Sequence, residues 1–342
     1  MPQKKQIIIF CQSPADVQYA LMIYDNNVHN ATISIFCINV EKNYKFLKSL
    51  KLNLNQLIYI SYSKNFSIKK PFSIYKEKKR LKEIYIKYFK NLENNDVYFF
   101  SHIYDWVMYS ILSKIYNKNN LYLIDSYGYT EKTHLLKNSI KEIIILLIYK
   151  YITGAFLKFY VISSNNKMIG ISLNSMKVTK TTIPLNLITV WNKYQYNIKI
   201  ENNSILFFES SSDNESIVNY KEKIIEFLNE LKNNNIHIYI KPHPRIGYSK
   251  FLKEFTSIIP DYIPGEFLPV HKFKGIIGIS TVAIAKLSRH YNNVFSLINF
   301  FDYKENNKKQ YYQEYLLEQS DYKIKIIDKK ETLINFIINN ST

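Results

Sequence analysis

The most chemically loaded stretch of the chain is Ile236-His237-Ile238-Tyr239-Ile240-Lys241-Pro242-His243-Pro244-Arg245, an apolar strand pattern running into a cationic turn bracketed by prolines. Proline fixes its own φ and restricts the residue before it, so Pro242 and Pro244 hold His243 extended at the strand's C-terminal end. Open α/β sheets bind their ligands at that end. A histidine placed there between Lys241 and Arg245 can donate a hydrogen bond or a proton to a departing phosphate. His237, near the start of the same strand, alternates toward packing and reads as structural.

Three further segments combine a buried strand with a polar turn. Ile205 to Phe208 runs through Glu209-Ser210-Ser211-Ser212 to Asp213, just before a helix expected to start near Glu215. Asp213 reads either as the cap of that helix or as a general base for an acceptor hydroxyl. Leu121 to Asp125, followed by Ser126-Tyr127-Gly128, puts an acid at a strand end ahead of a turn glycine, where Asp125 serves turn chemistry or a cleft. Gly275 to Ile279 delivers Ser280 and Thr281 to a helix start, where hydroxyls and amides either cap the helix or hold a phosphate.

The elements that must carry these residues alternate between strand and helix. Strand patterns occur at Gln6 to Cys11, Thr32 to Asn39, Leu57 to Ser61, Asp96 to Ser101 and Leu121 to Asp125, with helical spacing at Ile74 to Leu92 and Trp106 to Tyr116. Ser13 is placed to cap the first helix, with Pro14 at its first position and Asp16 near the positive end of the dipole. Periodicity fades between Asn174 and Asn203, so two lobes are expected, 1–190 and 200–342. In the second, strand Ser204 to Glu209, helix Glu215 to Leu231, strand Ile236 to Lys241, strand Gly275 to Ile279, a helix from Ser280 and strand Val294 to Ile298 repeat the alternation. Two doubly wound parallel sheets follow from this pattern.

Composition narrows the field. The chain has 342 residues, 46% of them hydrophobic, with 7 Gly and 9 Pro, enough apolar surface for large cores and too little glycine for a glycine-rich phosphate loop. Phosphate must then be held by helix N-termini and cations. Cys11 and Cys37 offer neither a disulfide framework nor a zinc cluster, which fits the cytoplasm. No export signal and no spanning segment is read, since the run Ile143 to Tyr149 is short and bracketed by Lys141, Glu142 and Lys150. The formal net charge of +18 favours anionic partners, although a composition rich in Lys, Asn, Ile and Tyr also reflects AT-rich coding. Ser139 to Phe159, with Lys141, Lys150 and Lys158 among apolar residues, reads as an interfacial helix at an anionic membrane or as a core or dimer contact.

Taken in order, Ile7 to Cys11, Asp125 to Gly128, Ile205 to Asp213 and Pro242-His243-Pro244-Arg245 with Tyr248 resemble the bacterial sialyltransferases of glycosyltransferase family 52, and more distantly the bacterial polysialyltransferases. The resemblance spans nearly the whole chain, with the His-Pro motif its most specific part. It implies a GT-B architecture of two Rossmann-like lobes with a cleft between them, and inverting transfer of sialic acid to a sugar hydroxyl of a surface glycan or glycolipid. The donor substrate would be CMP-sialic acid, with no cofactor and no catalytic metal. Asp213 would then be the base and His243 the acid or phosphate stabiliser. Lys241, Pro244, Arg245, Ser280 and Thr281 would face the donor, and Asp125 and Gly128 the acceptor side. The family often carries two adjacent acids before the glycine; here Ser126 and Tyr127 follow Asp125, which leaves Asp125 a supporting role.

Other readings share some of these features. A His-Pro turn and a Ser-Thr phosphate site also suit CMP-Kdo, another nonulosonic acid or a CDP-polyol donor. A nucleic-acid-binding protein would match the charge, but Lys is spread along both lobes and no recognition module appears, so no specific nucleic acid is expected.

Overall fold

The computed structural model describes residues 5–63, 67, 70–100, 106–124, 140–154, 157–163, 166–171, 178–181, 187–209, 216–243, 247–255 and 257–339. The chain divides into two compact units, residues 1–185 and 186–342. Each is built on a six-stranded parallel sheet.

The first unit runs β1 (Lys5–Cys11), α1 (Asp16–Asn27), β2 (Ala31–Ile38), α2 (Glu41–Ser49), β3 (Gln56–Ile60), α3 (Pro71–Tyr88), β4 (Asp96–Phe100), α4 (Trp106–Ile115), β5 (Asn120–Ile124) and α5 (Ile140–Thr153). The hairpin β6 (Leu157–Ser163) and β7 (Asn166–Ile171) follows, then β8 (Val178–Thr181). The main sheet has the order β3-β2-β1-β4-β5-β8, with β6 and β7 paired separately. β1 is apolar without alternation from Ile7 to Cys11, and every one of those residues is buried, the mark of a parallel strand covered on both faces. Phe10, Phe36 and Phe89 lock one face, with ring centroids 4.8–5.7 Å apart. Cys11 and Cys37 sit in register on β1 and β2 as buried free thiols. Their mutual hydrogen bond and their burial push the Cys11 thiol well above its usual range.

The second unit runs α6 (Leu187–Lys193), β9 (Ser204–Phe208), α7 (Tyr220–Asn233), β10 (His237–Lys241), β11 (Ser257–Ile258), β12 (Gly275–Gly278), α8 (Val282–Ser288), β13 (Val294–Ser296), α9 (Asn306–Gln319), β14 (Lys325–Ile326) and α10 (Lys330–Asn339). Its order, β11-β10-β9-β12-β13-β14, repeats that of the first sheet. Both are Rossmann-like: the chain leaves the first strand to one side, then crosses back to the other. The protein is therefore α/β with two parallel Rossmann-like sheets, the pair of units from which the GT-B class is built.

Several boundaries differ from the sequence pattern. α1 begins at Asp16, not at Pro14, because the Asp16 carboxylate accepts from the backbone N–H of Gln12 (2.7 Å) and Ser13 (2.8 Å) and from the Ser13 hydroxyl (3.0 Å), holding Ser13 to Ala15 in a turn. The helix expected from Glu215 is α7, which starts at Tyr220. Asn219 precedes it in the left-handed region (φ 52°), and Ile217 is bridged to Tyr303. The helix expected over Ser139 to Phe159 stops at Thr153. Gly154 takes φ 78° and the chain turns into β6, which carries Lys158. The polar stretch around Asn192 contains α6, whose Val190 and Trp191 are buried. Among the described residues no helix is long and apolar enough to cross a membrane.

One buried polar cluster staples α3 to the first sheet. Glu77 is buried on the inner side of α3, where it accepts from the Tyr62 hydroxyl and lies 3.7 Å from the Arg80 Nε. Arg80 in turn stacks on the Tyr62 ring at 4.2 Å and donates to the Ser63 carbonyl. Burial and the neighbouring carboxylate hold the Tyr62 phenol strongly protonated. Tyr62→Phe keeps the ring and removes one donor from a buried carboxylate, so it should lower stability by about 1–3 kcal/mol. Urea unfolding of the full chain measures it.

Candidate functional site

In a sheet of this order, ligands bind where the chain reverses, beyond the carboxyl ends of the two adjacent central strands. In the second unit those strands are β9 and β12, and register aligns their ends. Phe208 pairs with Lys241 of β10 on one side and with Gly278 of β12 on the other. The segments after β9, β10 and β12 therefore leave the same edge. β10 and β12 are separated by one strand, about 10 Å at the usual inter-strand spacing.

His243 follows β10 with one residue between. Its N–H donates to the Gly247 carbonyl (2.8 Å), and the Gly247 N–H donates back to the His243 carbonyl (3.0 Å). Gly247 takes φ 80°, which its missing side chain permits. A pair of backbone bonds thus closes the turn at its base and leaves the His243 side chain half-buried. Lys241 lies beneath, only 4% exposed, with Nζ donating to the carbonyls of Pro242 (2.8 Å) and Asp261 (3.4 Å). A buried ammonium is tolerated only when its donors are satisfied. Its geometry is that of a cation fastening the turn from below.

Glu209, which closes β9, was quoted in the sequence but given no role. It is 4% exposed. One carboxylate oxygen accepts from the Ser249 N–H (2.7 Å), just past the His243 turn, and the other from the Tyr220 hydroxyl (3.3 Å), at the first residue of α7. The strand end is thereby tied to the segment leaving the histidine turn and to the start of α7. An acid ending an otherwise apolar buried strand is the signal that could have marked it.

On the other side of β9, Ser280 is buried and Thr281 occupies the N-cap position of α8, its Oγ1 accepting from the Ala283 N–H at 3.4 Å. Gly278 makes this tight strand-to-helix turn feasible, because a Cβ there would lie 3.1 Å from side-chain carbons of both Ile284 and Thr281. The Ser296 hydroxyl donates to the Ile279 carbonyl (2.6 Å), which fixes the turn against β13.

The β1–α1 turn, at the switch point of the first sheet, is differently equipped. The amides that a phosphate would use at the β1–α1 turn, those of Gln12 and Ser13, already donate to the buried Asp16 carboxylate. That turn is filled by the chain's own anion, and a second anion would be repelled there.

Four of the residues selected from sequence, Lys241, His243, Ser280 and Thr281, therefore stand at one edge of the second sheet. Asp213, Pro244 and Arg245, like Asp125 and Gly128 of the first unit, lie outside the described residues. Among the described residues no group of three His, Cys, Asp or Glu side chains is arranged to hold a metal ion.

No protein-family model and no curated protein matches the sequence. Among solved structures, the chain is similar to the UDP-GlcNAc 2-epimerase of Methanocaldococcus jannaschii at 15% identity, with 97% of this chain and 92% of that one covered and a TM-score of 0.49. The UDP-GlcNAc 2-epimerase of Neisseria meningitidis bound to UDP-GlcNAc is similar at 12% identity, with 98% of each chain covered and a TM-score of 0.46. E. coli ADP-heptose lps heptosyltransferase II is similar at 9% identity, with 99% and 100% covered and a TM-score of 0.41. The architecture itself rests on the strand order and register described above.

Glu209 can be tested apart from any assumed substrate. Glu209→Ala removes the acceptor for a part-buried amide and a buried hydroxyl, so a loss of about 1–3 kcal/mol is expected. Amide exchange should rise at Ser249 and around the His243–Gly247 pair. Unchanged exchange at both places would show that the turn holds itself.

Proposed function

We propose that this protein is a metal-independent, inverting glycosyltransferase that moves sialic acid from CMP-sialic acid to a sugar hydroxyl, a terminal galactose of a bacterial surface glycan. One observation carries the reading. The proline-bracketed His243 turn is fixed at the carboxyl edge of the second sheet, one strand away from Ser280 and Thr281, while at the carboxyl edge of the first sheet the β1–α1 turn is occupied by Asp16. This favours the second unit, residues 186–342, as the donor side. The first unit is then assigned to the acceptor, with Asp125 and Gly128 on that side. The motif order in the sequence supports the choice of donor.

In the proposed reaction Asp213 accepts the proton of the acceptor hydroxyl as its oxygen bonds to the anomeric carbon of sialic acid. The bond from that carbon to the CMP phosphate oxygen breaks, and its electron pair leaves with CMP. His243 donates a hydrogen bond or a proton to that phosphate, with Arg245, the Pro244 segment, Ser280 and Thr281 around it. Lys241 supports the turn from beneath. A nucleotide phosphate is already a good leaving group, so donors and cations aimed at the developing charge suffice.

Incubation with CMP-sialic acid and a panel of galactose-terminated acceptors should give a product heavier by one sialic acid residue, in the presence of excess EDTA. His243→Ala should fold and lose about 100-fold or more in turnover. Asp213→Asn should lower transfer by about two to four powers of ten while CMP binding stays near normal. Asn caps a helix about as well as Asp, so the Asn variant should keep its stability. Normal turnover by either folded variant would remove that residue from the mechanism. Turnover of CMP-Kdo alone would replace the donor.

A further inference from the structure

A second concentration of positive charge lies in the first unit, away from the strand ends. The helices α3, α4 and α5 pack together over the sheet and line an open cavity of about 400 Å³. It is lined by Lys78 and Lys82 from α3, Lys114 from α4, and Leu147, Lys150 and Tyr151 from α5. Lys78 Nζ sits 3.8 Å from the centre of the Tyr151 ring, and Lys114 Nζ donates to the Ser110 hydroxyl (2.7 Å) beside the Tyr85 ring. Among the described residues no carboxylate pairs with Lys78, Lys82 or Lys114. α3 carries Lys76, Lys78, Lys79, Lys82 and Lys87 against one exposed acid, Glu83, since Glu77 is turned into the core. Desolvation of the Lys114 ammonium, together with the like charges of Lys78 and Lys82, pushes its pKa down to about 8.

The rim of this cavity is apolar and faces water. On α5, Ile143, Ile144, Leu147 and Tyr151 are exposed, Leu147 by 60%, and their spacing places them within about 100° of one another on the helix. On α3, Phe72 (69% exposed) and Tyr75 lie on the same flank as Lys78 and Lys82. A cavity evolved for a free phosphate needs the lysines and leaves these side chains unexplained. Contiguous exposed apolar residues mark an interaction surface, and basic residues set among them match an anionic lipid interface.

We propose that the α3–α5 face docks on an anionic lipid leaflet, the lysine cavity taking a phosphate headgroup while Leu147, Tyr151, Ile143, Ile144, Phe72 and Tyr75 enter the acyl boundary. The proposal does not depend on the donor chosen above.

The experiment is flotation of the full chain with vesicles of phosphatidylcholine alone and of phosphatidylcholine with about one third phosphatidylglycerol. Binding should require the anionic lipid and weaken with added salt. Lys78→Gln with Lys82→Gln should cut it roughly 30-fold, the effect of about 1 kcal/mol for each basic residue near the surface. Lys78→Arg with Lys82→Arg should retain it, and Leu147→Ser with Tyr151→Ser should also lower it. All four lysine and apolar positions are exposed or at the rim, so circular dichroism should be unchanged. Should the Gln pair fail to fold, the Arg pair, the apolar pair and the salt series decide the matter. Equal binding to neutral vesicles would overturn the proposal, as would indifference to both pairs of substitutions. Retention of inorganic phosphate by the lysines with no vesicle binding would overturn it in favour of a soluble anion.

Discussion

The carboxylate of Glu209 is the interaction on which the candidate site depends. Taking an ionised carboxylate out of water costs several kcal/mol unless donors replace the lost hydration. Here the donors come from chain segments far apart in sequence: Ser249, 40 residues on, and Tyr220, 11 residues on. Satisfying one buried charge therefore fixes the end of β9, the exit from the histidine turn and the start of α7 together. Lys241 repeats the arrangement with opposite sign, a buried ammonium whose donors are met by backbone carbonyls beneath the same turn. Each removes freedom from a segment at the carboxyl edge of the second sheet.

The two units equip the carboxyl edges of one topology differently. Both sheets place their switch point between the first and fourth strands of the unit. In the first, Asp16 satisfies the two turn amides and is itself fully buried. In the second, the corresponding edge carries hydroxyls, a histidine and a fastened lysine. With 7 glycines in 342 residues, the chain has little means to wrap a phosphate in bare backbone. It spends glycine where strand and helix must nearly touch, as at Gly278, or where φ must be positive, as at Gly247.

The central strands were legible because burial on both faces demands unbroken apolar runs, and those runs are what β1, β2, β9, β10 and β12 contain. The His243 turn was legible because two prolines restrict the backbone through local sterics alone. What escaped notice depends on contacts that a linear pattern does not encode. β11 and β14 are two residues long and exist only by pairing at sheet edges. α6 hides in a polar stretch because only Val190 and Trp191 need burial. The start of α1 was misplaced because a Ser-Pro pair suggests a cap, whereas the acid three residues after the serine captures the serine's own amide and hydroxyl. Glu209 was visible as a letter, but its role resides in its partners.

The same distinction applies to charge. A net +18 says little about where the excess lies, since many individual lysines are locally paired with carboxylates. Lys5 pairs with Asp96 (2.5 Å), Lys223 with Asp302 (2.7 Å), and Lys330 with Glu226 (2.5 Å). The two exposed pairs contribute little stability, while Asp96 is buried; all three cancel the field of the lysines they engage. What survives cancellation is positional. Along α3 the outward basic residues follow one another at helical spacing, and of its two acids only Glu83 faces outward, while Glu77 faces the core to meet Tyr62 and Arg80. Folding thus sorts the charge. By drawing Glu77 inward to hold the helix on the sheet, the protein leaves the outer face of that helix more basic than its sequence, read residue by residue, would suggest.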